Sequence, residues 1–166
     1  MYLGYVKKQN VLMKAVIQRV RSASVSIDGV VVSRIQTGLL ILLGVHVEDR
    51  QEDLDWLVSK VAKLRIFPDE EGVMNCSVIE AGGEVIVVSQ FTLYASTKKG
   101  NRPSYILAAR PELAIPMYEK FVAKLKQEAG VGVFTGKFGA DMQVSLVNDG
   151  PVTIIVDSKN NDPLDK

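Results

Sequence analysis

Glu84-Val-Ile-Val-Val-Ser-Gln-Phe-Thr-Leu-Tyr-Ala95 changes character halfway along. Val85 to Val88 are apolar and β-branched, as in a strand buried on both faces of a sheet. Ser89, Gln90 and Thr92 then put three hydrogen-bonding side chains directly at the end of that strand. A buried polar group is costly unless it is paired. These groups therefore either bond local backbone at the rim of a sheet or belong to a site that uses them.

The flanking segments say what kind of sheet receives this strand. Gly82-Gly83 reads as the turn leading into it, and Leu39 to Leu43 lacks alternation, which suits a second central strand. Lys14 to Val20 is a compact β-prone run. Ala23, Val25 and Ile27 then alternate with Ser24, Ser26 and Asp28. Asp28-Gly29 is a strong hairpin signal, because the tightest turns need positive φ, and Val30 to Val32 returns the chain. Asp49 with Glu52 resembles a capping box, and Leu54, Leu57, Val58, Val61 and Leu64 recur at helical spacing up to Pro68. Trp56 lies at the edge of that stripe, as a covering contact.

Pro111 and Pro116 mark where a second helix can begin, with Tyr118, Phe121, Val122 and Leu125 on its apolar face. Val133 to Lys137, Met142 to Val147 and Val152 to Val156 supply the last strands. The sum predicts an α+β fold: a β-rich, mostly antiparallel, barrel-like sheet, largely hairpin-connected, with two main helices packed outside. Two helices are too few to connect a doubly wound parallel sheet.

At 166 residues and 47% hydrophobic, the chain has the material for one domain with a full core. We expect an N-terminal arm at 1–12, a domain at 13–157 and a flexible polar tail at 158–166. Twenty Lys and Arg against 19 Asp and Glu leave a formal charge of +1, so any contact with phosphate must come from a local patch. The single cysteine, Cys76, excludes an internal disulfide and a cysteine-rich zinc site, and fits a reducing cytoplasm. No apolar run approaches the roughly 18 residues of a membrane span, and the first 12 residues lack a secretory pattern. Asp69-Glu-Glu-Gly72 reads as a solvated turn, so neither metal nor cofactor is expected.

Three further stretches bear on function. His46 follows a central strand, where it is expected as a surface or capping residue. Ser96-Thr-Lys-Lys-Gly-Asn-Arg-Pro-Ser104 is the most basic loop, with Lys98, Lys99 and Arg102 together and Arg110 not far behind. It is either a plain solvated loop or a phosphate contact beside the polar strand end. Asn148-Asp-Gly-Pro151 reads as a turn between two strands, although proline after glycine is an unusual hairpin tip. Either a cis or a trans Gly-Pro bond satisfies that pattern.

Taken together, Lys14-Ala-Val-Ile-Gln-Arg-Val20, Ser89-Gln-Phe-Thr-Leu93, Gly100-Asn-Arg-Pro-Ser104 and Ala140-Asp-Met-Gln-Val-Ser-Leu-Val-Asn-Asp-Gly-Pro-Val-Thr153 resemble the D-aminoacyl-tRNA deacylases. These enzymes edit tRNA charged with the wrong-handed amino acid, and the resemblance runs from Met13 to about Val156. It implies a homodimer with shared active sites, in which a cis Gly150-Pro151 of one subunit reaches into the site of the other. Ser89, Gln90, Phe91 and Thr92 would line the pocket, and Arg19 resembles the arginine that holds the Gly-Pro unit.

The implied partner is the tRNA acceptor end carrying a D-amino acid or glycine, with Lys98, Lys99 and Arg102 as possible RNA contacts. Ester hydrolysis would then need backbone N–H groups around Phe91 and Thr92 for the oxyanion. A Ser-His-Asp relay is hard to build with one histidine. Water assisted by a ribose hydroxyl is the expected attacking group. The alternative is a non-catalytic nucleic-acid-binding module using Lys98, Lys99, Arg102 and Lys137.

Overall fold

The computed structural model describes residues 13–158, so the expected arm at 1–12 and all but the first residue of the expected tail lie outside the described residues. β1 (Lys14–Ile27) is a single long strand that bends. Asp28 (φ 50°) and Gly29 (φ 77°) reverse the chain at the predicted hairpin. β2 (Val30–Ile35) and β3 (Gly38–Gly44) then return along it, pairing with its second and first halves in turn. On its opposite edge β1 pairs with β8 (Gln143–Asp157) along nearly its whole length.

β3 and β7 (Val133–Thr135) flank β6 (Glu84–Ser89), and both pairings are parallel. Each parallel step needs a crossover, and each helix supplies one. α1 (Gln51–Lys63), followed by the small hairpin of β4 (Phe67–Pro68) and β5 (Met74–Cys76), carries the chain from β3 to β6. α2 (Pro111–Ala129) carries it from β6 to β7. The antiparallel majority of pairings holds, but the connections are less hairpin-like than the sequence suggests, because two helices suffice for two parallel joins.

Ala15, Ile17, Leu39, Ile41, Val85 and Val87 bury one face of the sheet beneath both helices, with Leu54, Val61, Phe121 and Leu125 from the helical side. On the other face the sheet curls over itself. Val20, Leu40, Ile86 and Val88 meet Ala23, Val25 and Ile35 from the bent half of β1 and from β2, with Met142, Val144 and Leu146 against them. Ser33 Oγ donates to the Thr135 carbonyl and joins β2 to β7 across the curl, which gives the barrel-like shape.

Two details of the helices differ from expectation. α1 starts one residue later, with the Asp53 carboxylate accepting the Arg50 N–H at 3.0 Å and no side chain of residue 50 completing a capping box, because the Asp49 carboxylate accepts the His46 N–H at 2.7 Å. α2 starts with Pro111 at its first position and keeps Pro116 inside, so only the first proline marks a boundary. Lys124 and Asp55 join the helices at 2.5 Å, an ion pair that holds the Asp55 carboxyl below its ordinary range.

β8 departs furthest from the sequence reading. Val144 to Asn148 pair with Val25 to Val20, Thr153 to Asp157 pair with Gln18 to Lys14, and the register shifts in between. Asn148-Asp-Gly-Pro151 is therefore a bulge inside one strand and not a turn between two. The Gly150-Pro151 bond is cis, yet the chain does not reverse there.

Candidate active site

β6 ends at Ser89, and the chain turns at Gln90 into a short 3-10 helix over Phe91–Tyr94. Its first internal bond runs from Leu93 N–H to the Gln90 carbonyl at 3.3 Å. The Phe91 and Thr92 amides lie ahead of that bond and have no acceptor within the helix. The Gln90 side-chain amide donates to Thr92 Oγ1 at 2.5 Å, which fixes the hydroxyl against its neighbour.

A cavity of about 330 Å³ opens beside this corner, with Ser89, Gln90 and Phe91 on one wall and Phe138 to Met142 on the other. Asp141 is the one ionisable side chain among its lining residues, and among the described residues no His, Cys or Lys lines it. Thr92 is exposed and is not among the lining residues. The Phe138–Met142 wall was missed as a site element. Its signal lay in the motif beginning at Ala140, and what brings it here is packing against β6 from some 50 residues away in sequence, a pairing no local pattern encodes.

His46 is 5% exposed, more buried than a surface residue, though it does cap locally: its Nδ1 accepts the Glu48 N–H at 3.1 Å. The ring meets Tyr94 edge-on at 5.4 Å between centroids. Burial drives the Tyr94 phenol far above its usual range. Phe91 stays 56% exposed and meets Tyr105 edge-on at 5.1 Å. Lys98, Lys99 and Arg102 are exposed on the loop closed by Ser96 and Ser104, close in sequence to this corner.

Arg19, Gly150 and Pro151 lie together, at a different part of the sheet. Arg19 Nε donates to the Asp149 carbonyl at 2.9 Å, and its Nη1 donates to the Ile66 carbonyl at 2.7 Å. Asn148 staples the bulge from the other side. Its Nδ2 donates to Gln18 Oε1 at 2.9 Å and to Thr153 Oγ1 at 3.1 Å, while its Oδ1 accepts the Val152 N–H at 2.7 Å. Gly150 has φ 137°, and a Cβ there would fall 2.8 Å from Val152 Cγ2 and 3.2 Å from Arg19 Nη2, so only glycine fits.

Within one chain this bulge and the cavity do not meet. Gly150 lies opposite Arg19 on β1, whereas Ser89 aligns through Leu43 with Ala15. Four residues along the strands and three strand spacings across them amount to roughly 20 Å measured along the sheet.

The family model described as D-Tyr-tRNA(Tyr) deacylase matches residues 16–157. A D-aminoacyl-tRNA deacylase of Flavobacterium psychrophilum is 63% identical over 150 residues, covering 90% of this chain and 100% of that protein. One from Flavobacterium johnsoniae is 61% identical over 150 residues, with the same coverage of each. Among solved structures, one of a c-Myc DNA Unwinding Element Binding Protein is 43% identical, with a TM-score of 0.81, covering 86% of this chain and 97% of that one. A second, described as a probable eukaryotic D-amino acid tRNA deacylase, is 18% identical with a TM-score of 0.75, over 89% and 100% of the two chains, and shares the fold.

Proposed function

The chain belongs to the D-aminoacyl-tRNA deacylases, hydrolases of an ester bond, and from that premise we propose that it is a chiral proofreader working as a homodimer with two shared sites. It cleaves D-aminoacyl-tRNA to tRNA and amino acid, spares the L ester, and acts in the cytoplasm. No helix among the described residues is long and apolar enough to cross a membrane. What supports the shared site is the Gly150-Pro151 bulge, clamped by Arg19 and separated from its own cavity by roughly 20 Å measured along the sheet. A two-fold interface brings each bulge to the other subunit's cavity with one surface used twice.

In this reading the ester carbonyl sits over the Phe91 and Thr92 amides, which donate to the oxyanion as the tetrahedral intermediate forms. The cavity wall offers no histidine to activate a nucleophile, and Thr92 Oγ1 is engaged by Gln90. Water therefore attacks, assisted by the neighbouring ribose hydroxyl of the RNA, and the tRNA oxygen leaves. The partner's Gly150 and Pro151 carbonyls accept from the substrate ammonium and fill the volume an L side chain would need. Selection by exclusion tolerates many D side chains. It cannot reject glycine, so glycyl-tRNA is also cleaved.

The test is hydrolysis of D-tyrosyl-, L-tyrosyl- and glycyl-tRNA by the wild type and by Pro151→Ala, alongside the molar mass in solution. Loss of the D and glycyl esters alone, weakened discrimination in the variant and a dimeric mass are expected. A monomer that cleaves the D ester would refute the shared site, and full resistance of glycyl-tRNA would refute selection by exclusion. The likeness to a protein named for DNA binding favours one second reading, nucleic-acid binding without hydrolysis. That reading requires all three esters to survive while RNA binding persists in Pro151→Ala.

A further inference from the structure

Trp56, Lys60, Lys63 and Arg65 are exposed from the middle of α1 to just past its C-terminal end, and none of them lines the cavity. Trp56 is 44% exposed, so it is no core residue, and Lys60 Nζ lies 5.4 Å from its ring centroid. Together with Ser59 and Leu64 these side chains line an open groove of about 330 Å³. None of the three ion pairs among the described residues involves them. Arg65 is oriented by the Asn75 carbonyl at 2.9 Å and by the Asn75 side chain. Acids lie on the nearby 69–71 turn, but the Asp69 carboxylate accepts from Glu71, Val73 and Asn75 within that turn.

We propose that this end of α1 is a second RNA contact, gripping backbone phosphates of the bound tRNA outside the aminoacyl pocket. Lys60 and Lys63 are neighbours one helical turn apart, about 5–6 Å between Cβ atoms. A flat, exposed indole beside three cations is the combination that suits a phosphate backbone with a base or ribose against the ring. Cations in a last helical turn also offset the macrodipole, but that role asks for no exposed tryptophan. Its position supplies the link to the site. Arg65 precedes Ile66, and one guanidinium, Arg19, holds the carbonyls of both Ile66 and Asp149. The groove and the Gly150-Pro151 bulge are thus carried as one unit. This inference rests on the reading of that bulge as part of an aminoacyl-RNA site.

The experiment compares the wild type with K60E/K63E on D-tyrosyl-tRNA and on 3′-D-tyrosyl-adenosine, which has no phosphate backbone. KM for the tRNA is expected to rise about tenfold with kcat unchanged, and hydrolysis of the adenosine ester to stay as in the wild type. The salt dependence of tRNA binding should become shallower by about 1.5 in log–log slope, from two lost contacts. K60Q/K63Q should fall between. Unchanged KM for tRNA, or equal loss on both substrates, would overturn the proposal. Anisotropy with uncharged tRNA makes the same comparison without hydrolysis, so a wild type that cleaves neither ester refutes the deacylase reading alone. Retained tRNA binding with lost binding to phosphatidylglycerol vesicles would overturn it in favour of a membrane surface.

Discussion

Replacing Arg19 by methionine removes the hydrogen bond to the Asp149 carbonyl and the one that ties the bulge to Ile66, while keeping an apolar stem of similar length and the bonds that Asn148 makes. Each bond has a charged donor, and such bonds contribute about 1.5–3 kcal/mol. They share one half-buried guanidinium, and both carbonyls regain some water when it is lost, so the two are not additive. The expected loss is about 3 kcal/mol. For a domain of this size that lowers Tm by roughly 6–12 °C.

Function should suffer more than stability. A shift of about 1 Å in a positioning group can cost on the order of 10²-fold in rate, so kcat/KM for D-tyrosyl-tRNA should fall by that order and the preference for D over L should narrow. Urea unfolding followed by circular dichroism measures the first effect. Hydrolysis of both esters well below the variant's Tm measures the second. Arg19→Lys, able to reach one carbonyl, should recover part of each. A variant that loses less than about 1 kcal/mol and keeps its D preference would refute the idea that Arg19 positions the bulge.

Two further substitutions test the frame that carries the site. Gly38→Ala would bring a Cβ within 1.8 Å of the Glu84 carbonyl oxygen, where the parallel pair of β3 and β6 begins. Backbone cannot yield that far in a packed sheet, so little folded protein should be recovered, and a native circular dichroism spectrum with a cooperative transition would refute the placement. Tyr118 donates to the Val87 carbonyl at 2.7 Å, and burial pushes its phenol up to about 12. The unfolded chain releases that proton near pH 10, so this contribution is present below about pH 10 and is lost as pH rises towards 12. Tyr118→Phe should cost about 1–3 kcal/mol at neutral pH and flatten the alkaline decline in stability; an unchanged alkaline slope would count against it.

Local chemistry was legible wherever neighbours in sequence decide the outcome. Asp28-Gly29 carries its own turn, and the Leu54, Leu57, Val58 and Val61 stripe carries its own helix. What stayed hidden depends on distant partners. The residues around Gly150 look the same whether the chain reverses or bulges, because β1, some 130 residues earlier, holds both flanks in line. The first capping box failed for a similar reason, since the Asp49 carboxylate is diverted to the His46 amide. Counting helices argued against parallel strands, yet each helix is itself a parallel crossover. In the candidate site, Ser89, Gln90 and Phe91 were visible as polar or exposed groups ending an apolar run. The opposite wall at Phe138 to Met142 was not, because the motif that begins at Ala140 does not say to which corner the chain returns.

The order in which β1 finds its partners bears on how the protein is made. One edge is satisfied early by β2 and β3, but the other waits for β8, and the strand pair closes with Met13 bonded to Ser158, 145 residues apart. At about 5–20 residues per second on the ribosome, that wait lasts roughly 7–30 s. Throughout it the nascent chain exposes an unpaired strand edge and lacks Met142, Val144 and Leu146 over its second core, a liability for edge-to-edge aggregation. The strand that ends the exposure also carries Gly150 and Pro151, so a stalled or truncated chain never displays the bulge on a completed sheet.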